Sequence, residues 1–377
     1  IKASLLRAAG KMSEASSYCE KGRKARGSLD RFPFREESLR PLAQAVEFNP
    51  HDATARFSLG CLLYSLGRRS EALSLWEKGV ELSPDDFSMQ RALGLAYAEA
   101  GYGIENAARH LEAAIELNPD HIRTFTDLSD LYSRAGFFDS QLALLHRALK
   151  RSPEDDYIIE GLITTNLVKG DYSQADSLIR SHTFAQRHRS YELRDKYRFM
   201  RYGFGSKAFR NGDYEEALRQ FEMALYPPGS LGADDFQYQS APRLNYYIGL
   251  VKEKMGLTRE ARASFEKSST GWRQLSGDRD SWNSENLYMI FSLEKLGRTE
   301  TAGRLMESIE NFALSQLESK YLPYRAEANY LLGLVKKKEG EAEEARRLFK
   351  EAVQVRPDIL GPRFELRSDV VDPLPGG

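Results

Sequence analysis

Residues 57–84 read FSLGCLLYSLGRRSEALSLWEKGVELSP, and residues 91–119 read RALGLAYAEAGYGIENAARHLEAAIELNP. Leu59, Gly60, Leu63, Gly67, Ala72, Trp76 and Pro84 fill the same slots as Leu93, Gly94, Tyr97, Gly101, Ala107, Leu111 and Pro119, with one extra residue in the second turn. Phe125, Leu128, Tyr132, Gly136, Leu145, Ala148 and Pro153 then give a third copy. The period is about 34 residues, which makes this a repeat architecture. Gly60 and Gly94 let two helices approach closely, Gly67, Gly101 and Gly136 close the turn between them, and the prolines end the second helix. Each copy is therefore a helical hairpin. One hairpin does not bury its own apolar stripe, so the next must cover it and the copies stack.

The pattern continues with more drift. Gly170 and Ala175 mark a fourth unit, and Gly205, Gly212, Ala217, Phe221 and Ala224 a fifth. Gly249, Gly256, Ala261 and Phe265 mark a sixth, and Met289, Gly297, Ala302 and Met306 a degenerate seventh. Gly333, Gly340, Ala345, Phe349, Ala352 and Pro357 complete an eighth, while Leu42, Ala45 and Pro50 form a leading half-unit. These residues and spacings resemble tetratricopeptide repeats. The resemblance implies an all-α fold, a right-handed α-solenoid of about eight helical hairpins.

A solenoid grows lengthwise, so 377 residues do not require two separate folds. With 54 basic and 55 acidic residues the net charge is −1, which argues against a global electrostatic footprint for nucleic acid or an anionic membrane. Cys19 and Cys61 are too few for a disulfide framework. No apolar run reaches the roughly 18 residues of a membrane-spanning helix. The sequence opens at Ile1 on a helical stretch, and the expectation is an excised fragment of a longer protein.

The organisation expected is an N-terminal helical segment over residues 1–30, the half-unit with units one to four over 31–180, units five to eight over 181–367, and a disordered tail over 368–377. Loops interrupt the second half at 226–241 and 271–283.

In repeats of this kind the first helix of each hairpin faces the concave side, through its second, fifth, ninth and twelfth or thirteenth positions. That rule selects Phe57 and Tyr64, Arg91, Arg123, Asp130 and Arg134, then Tyr157 and Glu160. Further along it selects Phe199, Tyr202, Phe209 and Arg210, Arg243 and Tyr246, Phe291 and Tyr330. A groove rich in aromatic residues and arginine suits an extended carboxylate-bearing peptide, because rings give contact area at low entropic cost and guanidinium matches carboxylate geometry. It also suits a sugar chain. The competing reading is that aromatic residues at helical spacing are core.

Between Arg187 and Arg210 stand eight Lys or Arg and two acidic residues, interleaved with aromatic side chains. Arg194, Arg198 and Arg201 share one helix face, either as an anion-binding face or as a solvated face over an aromatic core. Nucleic-acid binding is disfavoured, since no recognised motif accompanies the stretch.

No catalytic or metal pattern stands out, and no cofactor is expected. The six histidines form no metal pair at a productive spacing, and Gly203–Lys207 lacks the strand and spacing of a phosphate loop. Asp85-Asp86 and Glu154-Asp155 follow prolines and read as helix N-terminal residues.

Phe32-Pro-Phe-Arg35 with Glu37-Ser38, Asn49-Pro50, Arg123-Thr124, Tyr226-Pro227, Leu231-Gly232, Asn245–Leu250 and Tyr330–Leu334 add a second resemblance. Together they resemble the C-terminal repeat region of large bacterial proteins in which a β-sandwich, similar to mutarotase-like carbohydrate-modifying enzymes, precedes tetratricopeptide repeats. This resemblance implies an upstream β-rich domain acting on sugars. The partner is then a protein or peptide, the chain's own upstream domain, or a glycan.

Overall fold

The computed structural model describes residues 36–185, 190–231, 241–270 and 282–367, together with residues 10, 11, 13, 14 and 17. Most of the N-terminal segment over 1–30, Arg187, residues 232–240 and 271–281 of the two loops, and the tail over 368–377 lie outside the described residues. The described residues form helices and no strand.

Among the described residues, helix α1 (Leu39–Phe48) leads into eight hairpins. These are α2 (Ala53–Ser65) with α3 (Arg69–Leu82), α4 (Phe87–Ala100) with α5 (Ile104–Leu117), α6 (Ile122–Ala135) with α7 (Phe138–Arg151), and α8 (Asp156–Lys169) with α9 (Tyr172–Ser181). They continue as α10 (Ser190–Arg210) with α11 (Tyr214–Leu225), α12 (Pro242–Lys254) with α13 (Thr258–Ser269), α14 (Ser284–Lys295) with α15 (Thr299–Gln316), and α16 (Leu322–Lys338) with α17 (Ala342–Val355). A short helix, α18 (Leu360–Glu365), follows.

Punctuation comes from a few residue types. Asp52, Asp86, Asp155, Asp171 and Asp213 cap helices by accepting backbone N–H groups of the first turn, so two of the acidic residues after prolines are helix caps. Every turn inside a hairpin holds a glycine in the left-handed region, from Gly67 at φ 77° to Gly340 at φ 83°, where a Cβ would clash with the backbone.

Within a hairpin, the two helices meet where a glycine faces a large side chain. A Cβ on Gly60 would lie 2.4 Å from the Trp76 indole nitrogen, and one on Gly249 would lie 2.4 Å from the Phe265 ring. Gly205 with Phe221 and Gly333 with Phe349 repeat this contact.

The chain divides into two compact units, residues 1–131 and 132–377, so residues 132–180 belong with the second. In the first unit Phe57, Leu73, Trp76, Met89, Leu93 and Ala96 form one cluster. Leu42 and Val46 of α1 close another over Leu59, Leu63 and Ala72. In the second unit a continuous core runs from Ile159 to Phe364.

Replacing Gly249 by Ala drives a methyl into the Phe265 ring and should lower stability by about 1–3 kcal/mol. Gly303, in α15, has open space around its Cα, and Gly303→Ala should instead stabilise by up to about 1 kcal/mol. Urea midpoints of the two variants against wild type test this pair.

Candidate functional site

The inner positions differ between the two units. In the first, Phe57 is 7 % exposed and packs on Trp76 at a ring separation of 6.5 Å, so it belongs to the core. Tyr64, at the end of α2, donates its hydroxyl to Glu99 of α4, and Glu99 also pairs with Arg69 at 2.6 Å. Burial, then the hydrogen bond and charge of Glu99, push the Tyr64 phenol up to about 12. The hydroxyl is therefore a neutral donor at physiological pH.

Arg91 from α4 and Arg123 from α6 converge on one carboxylate, Asp127. Arg123 meets it at 3.2 Å and its side chain is 75 % exposed, whereas that of Arg91 is 27 % exposed and its buried Nε has no hydrogen-bond partner. The two guanidiniums thus share one carboxylate. His121 sits beside it, and burial together with the Arg91 charge holds its imidazole below the usual value.

In the second unit the exposed members of the expected set are Arg134, Arg210 and Tyr157, the last at 49 %. Phe209 is half-buried against Tyr214. Glu160 pairs with Lys196 at 2.6 Å.

Tyr202 and Tyr246 are 2 % and 1 % exposed, so the structure places them in the core instead of on an open groove. Tyr202 donates to the Tyr247 hydroxyl at 2.8 Å, and that hydroxyl to Tyr288 at 3.2 Å. The Tyr246 ring lies 5.8 Å from Tyr288 and 5.9 Å from Phe291. A chain of phenol hydroxyls satisfies the buried polar atoms that such a core would otherwise strand.

Arg243 enters this cluster from the start of α12. Its guanidinium carbon lies 4.7 Å from the Tyr288 ring and 5.7 Å from the Tyr202 ring. One nitrogen donates to the Tyr330 hydroxyl at 3.4 Å, and Nε is 3.4 Å from the Glu285 carboxylate. Burial acts to lower its pKa, but Tyr288, Tyr330 and Glu285 outweigh that and hold it well above its usual value. Arg243 is thus a caged cation: ring faces and one carboxylate replace its water.

The basic face of α10 is closed as well. Arg194 and Arg201 are 7 % and 3 % exposed, which excludes the solvated face expected for them. Arg201 donates to Asp176 and to Gln220 and lies over the Tyr197 ring at 5.0 Å, so its charge is spent inside the fold. Two histidines are held inside the fold: His182 hydrogen-bonds Asp156 at 2.7 Å, and His110 bonds Gln90 at 2.7 Å. Among the described residues no group of His, Cys, Asp and Glu is placed to hold a metal.

Phe364 and Arg367 were not singled out by the repeat pattern. Phe364, 1 % exposed, lies 4.7 Å from Tyr202 and 5.7 Å from Phe199. The only sequence sign of it is the aromatic residue shortly after Pro357 and Pro362.

Residues 57–102 and 326–359 match family models described as tetratricopeptide repeat, and the chain carries such repeats at those positions. Among curated proteins, the Vi polysaccharide export protein VexE of Salmonella typhi is 30 % identical over 99 residues, which are 26 % of this chain and 15 % of that protein. Protein O-mannosyl-transferase TMTC1 of Homo sapiens is 28 % identical over 129 residues, 34 % of this chain and 14 % of that protein. The match thus spans about a seventh of each relative's length. Solved structures of similar fold include MamA from Desulfovibrio magneticus RS-1, at 23 % identity over 48 % of this chain and 92 % of that one, with a TM-score of 0.36. Another is YrrB, described as a TPR protein with an unusual peptide-binding site, at 16 % identity over 63 % of this chain and 93 % of that one, with a TM-score of 0.32.

Removing a caged cation strands the carboxylate and hydroxyls around it. Arg243→Ala should therefore lower the unfolding free energy by about 3 kcal/mol or more. Arg210→Ala, on the surface, should change it by no more than about 0.5 kcal/mol. Equal and small effects in chemical denaturation would remove Arg243 from the core.

Proposed function

We propose that this chain is a non-catalytic scaffold that binds a protein or peptide, and that the first unit recognises it through Tyr64, Arg91 and Arg123. The observation that carries the reading is the convergence of Arg91 and Arg123 on the single carboxylate of Asp127, with the Arg123 side chain 75 % exposed. Arg presents a planar fork to carboxylates, so the partner inferred is an acidic or carboxylate-bearing segment. Helical repeats serve such binding by presenting long surfaces on rigid hairpins. Exposed Arg134, Tyr157 and Arg210 give the second unit an outward set of the same chemistry.

A second reading makes this chain an accessory repeat module of a larger carbohydrate-active protein, packing on another domain of it or helping to bind glycan. It is favoured by the two curated relatives, one a polysaccharide export protein and the other an O-mannosyl-transferase.

Capture from a lysate of the source organism, identified by mass spectrometry, separates the two. Arg123→Glu should reduce recovery of an acidic partner about tenfold, since charge reversal both repels it and lowers its on-rate. Arg304→Glu, a 72 % exposed position on α15, should leave recovery unchanged. Equal recovery with both variants would sink the assignment of Arg123, while heat released on titration with neutral oligosaccharide would favour the glycan reading.

A further inference from the structure

At Phe199 and Tyr202 of α10 and Tyr330 of α16 the second unit does not present an open inner face. After α17 the chain turns at Pro357, passes through Ile359 in extended conformation, and forms α18 against those helices. Its contacts fall on the positions that the repeat rule assigns to a ligand. Phe364 packs on Phe199 and Tyr202 of α10, and Gly361 lies so close to Tyr330 of α16 that a Cβ would come within 2.6 Å of the ring.

Polar contacts fix the register. Glu365, its side chain 2 % exposed, pairs with Lys337 at 2.9 Å. Arg363 lies 4.7 Å over the Phe138 ring. Arg367 donates to the Tyr172 hydroxyl at 2.9 Å and to the backbone carbonyls of Leu167 and Val168. Those carbonyls end α8, where unpaired acceptors and the helix dipole favour a cation. The segment thus ties together the third, fourth, fifth and eighth hairpins through side-chain recognition. The successive hairpins, by contrast, pack through repeated apolar stripes.

We propose that residues 357–367 are an intramolecular ligand of this groove, displaced by a partner peptide of the same chemistry. That partner is a short helix with an aromatic residue, a carboxylate directly after it and an arginine three positions beyond the ring. Six residues are too few to form a stable helix alone, so α18 exists through these contacts and is lost when they are exchanged. Its short connection to α17 gives it a high effective concentration, and a competitor must bind well to replace it. The proposal rests on the reading of the repeats as peptide binders, but it concerns the second unit, so its failure leaves the role of Arg123 standing.

The test uses the full chain and a labelled synthetic peptide of residues 357–367. In wild type, the amides of 361–366 should exchange with deuterium at least about tenfold faster than the protected amides of α16 and α17, as a sub-global opening requires. The Phe364→Ala, Arg367→Ala double variant should bind the peptide at least about tenfold more tightly than wild type, whose groove is filled by its tethered copy. A peptide carrying Phe364→Ala should not compete. Exchange of 361–366 in step with α16 and α17 would overturn the proposal, as would a folded variant that binds no better than wild type. Loss of helicity in the double variant would overturn it too, since the segment would then be part of the obligatory fold.

Discussion

The structure depends on one contact repeated along the chain: a glycine in the first helix of a hairpin against a large side chain in the second. Gly60 meets Trp76, Gly205 meets Phe221, Gly249 meets Phe265 and Gly333 meets Phe349. The missing Cβ lets the helices close, and the ring fills the space so gained, so shape is fixed by a pair and not by either residue alone. Once the hairpin is set, its remaining apolar residues face the next one.

That locality explains what could be read directly. Turn glycines, aspartate caps and the glycine–aromatic pairs act over a few turns of chain, and the eight hairpins fall where Gly67 through Gly340 place them. Even the degenerate seventh hairpin keeps its turn at Gly297, although Ile290 stands where its neighbours have glycine.

The open or closed state of the inner face obeys no such local rule. Position within a repeat tells which side of a helix Tyr202 and Tyr246 occupy, and they do lie on inner helices. It does not tell that Phe364, far along the chain, covers Tyr202, or that Tyr246 packs into Tyr288 and Phe291. The same limit applies to Arg194 and Arg201. Their spacing gives a shared face, but the partners that bury Arg201, Asp176 and Gln220, come from other helices.

Aromatic and arginine residues are the side chains that make both binding hot spots and well-satisfied cores, because each combines large apolar area with a directed polar group. Composition therefore does not separate the two uses; the surroundings do. Around Arg243 three phenols and a glutamate replace water on every side that the cage defines, and the charge is consumed. Around Arg123 one shared aspartate leaves most of the side chain in solvent. A cation kept hydrated on one flank has interaction energy left for a partner, and a cation already exchanged into a cage has little. By that criterion Arg123 keeps interaction energy that Arg243 and Arg201, each already partnered inside the second unit, have spent.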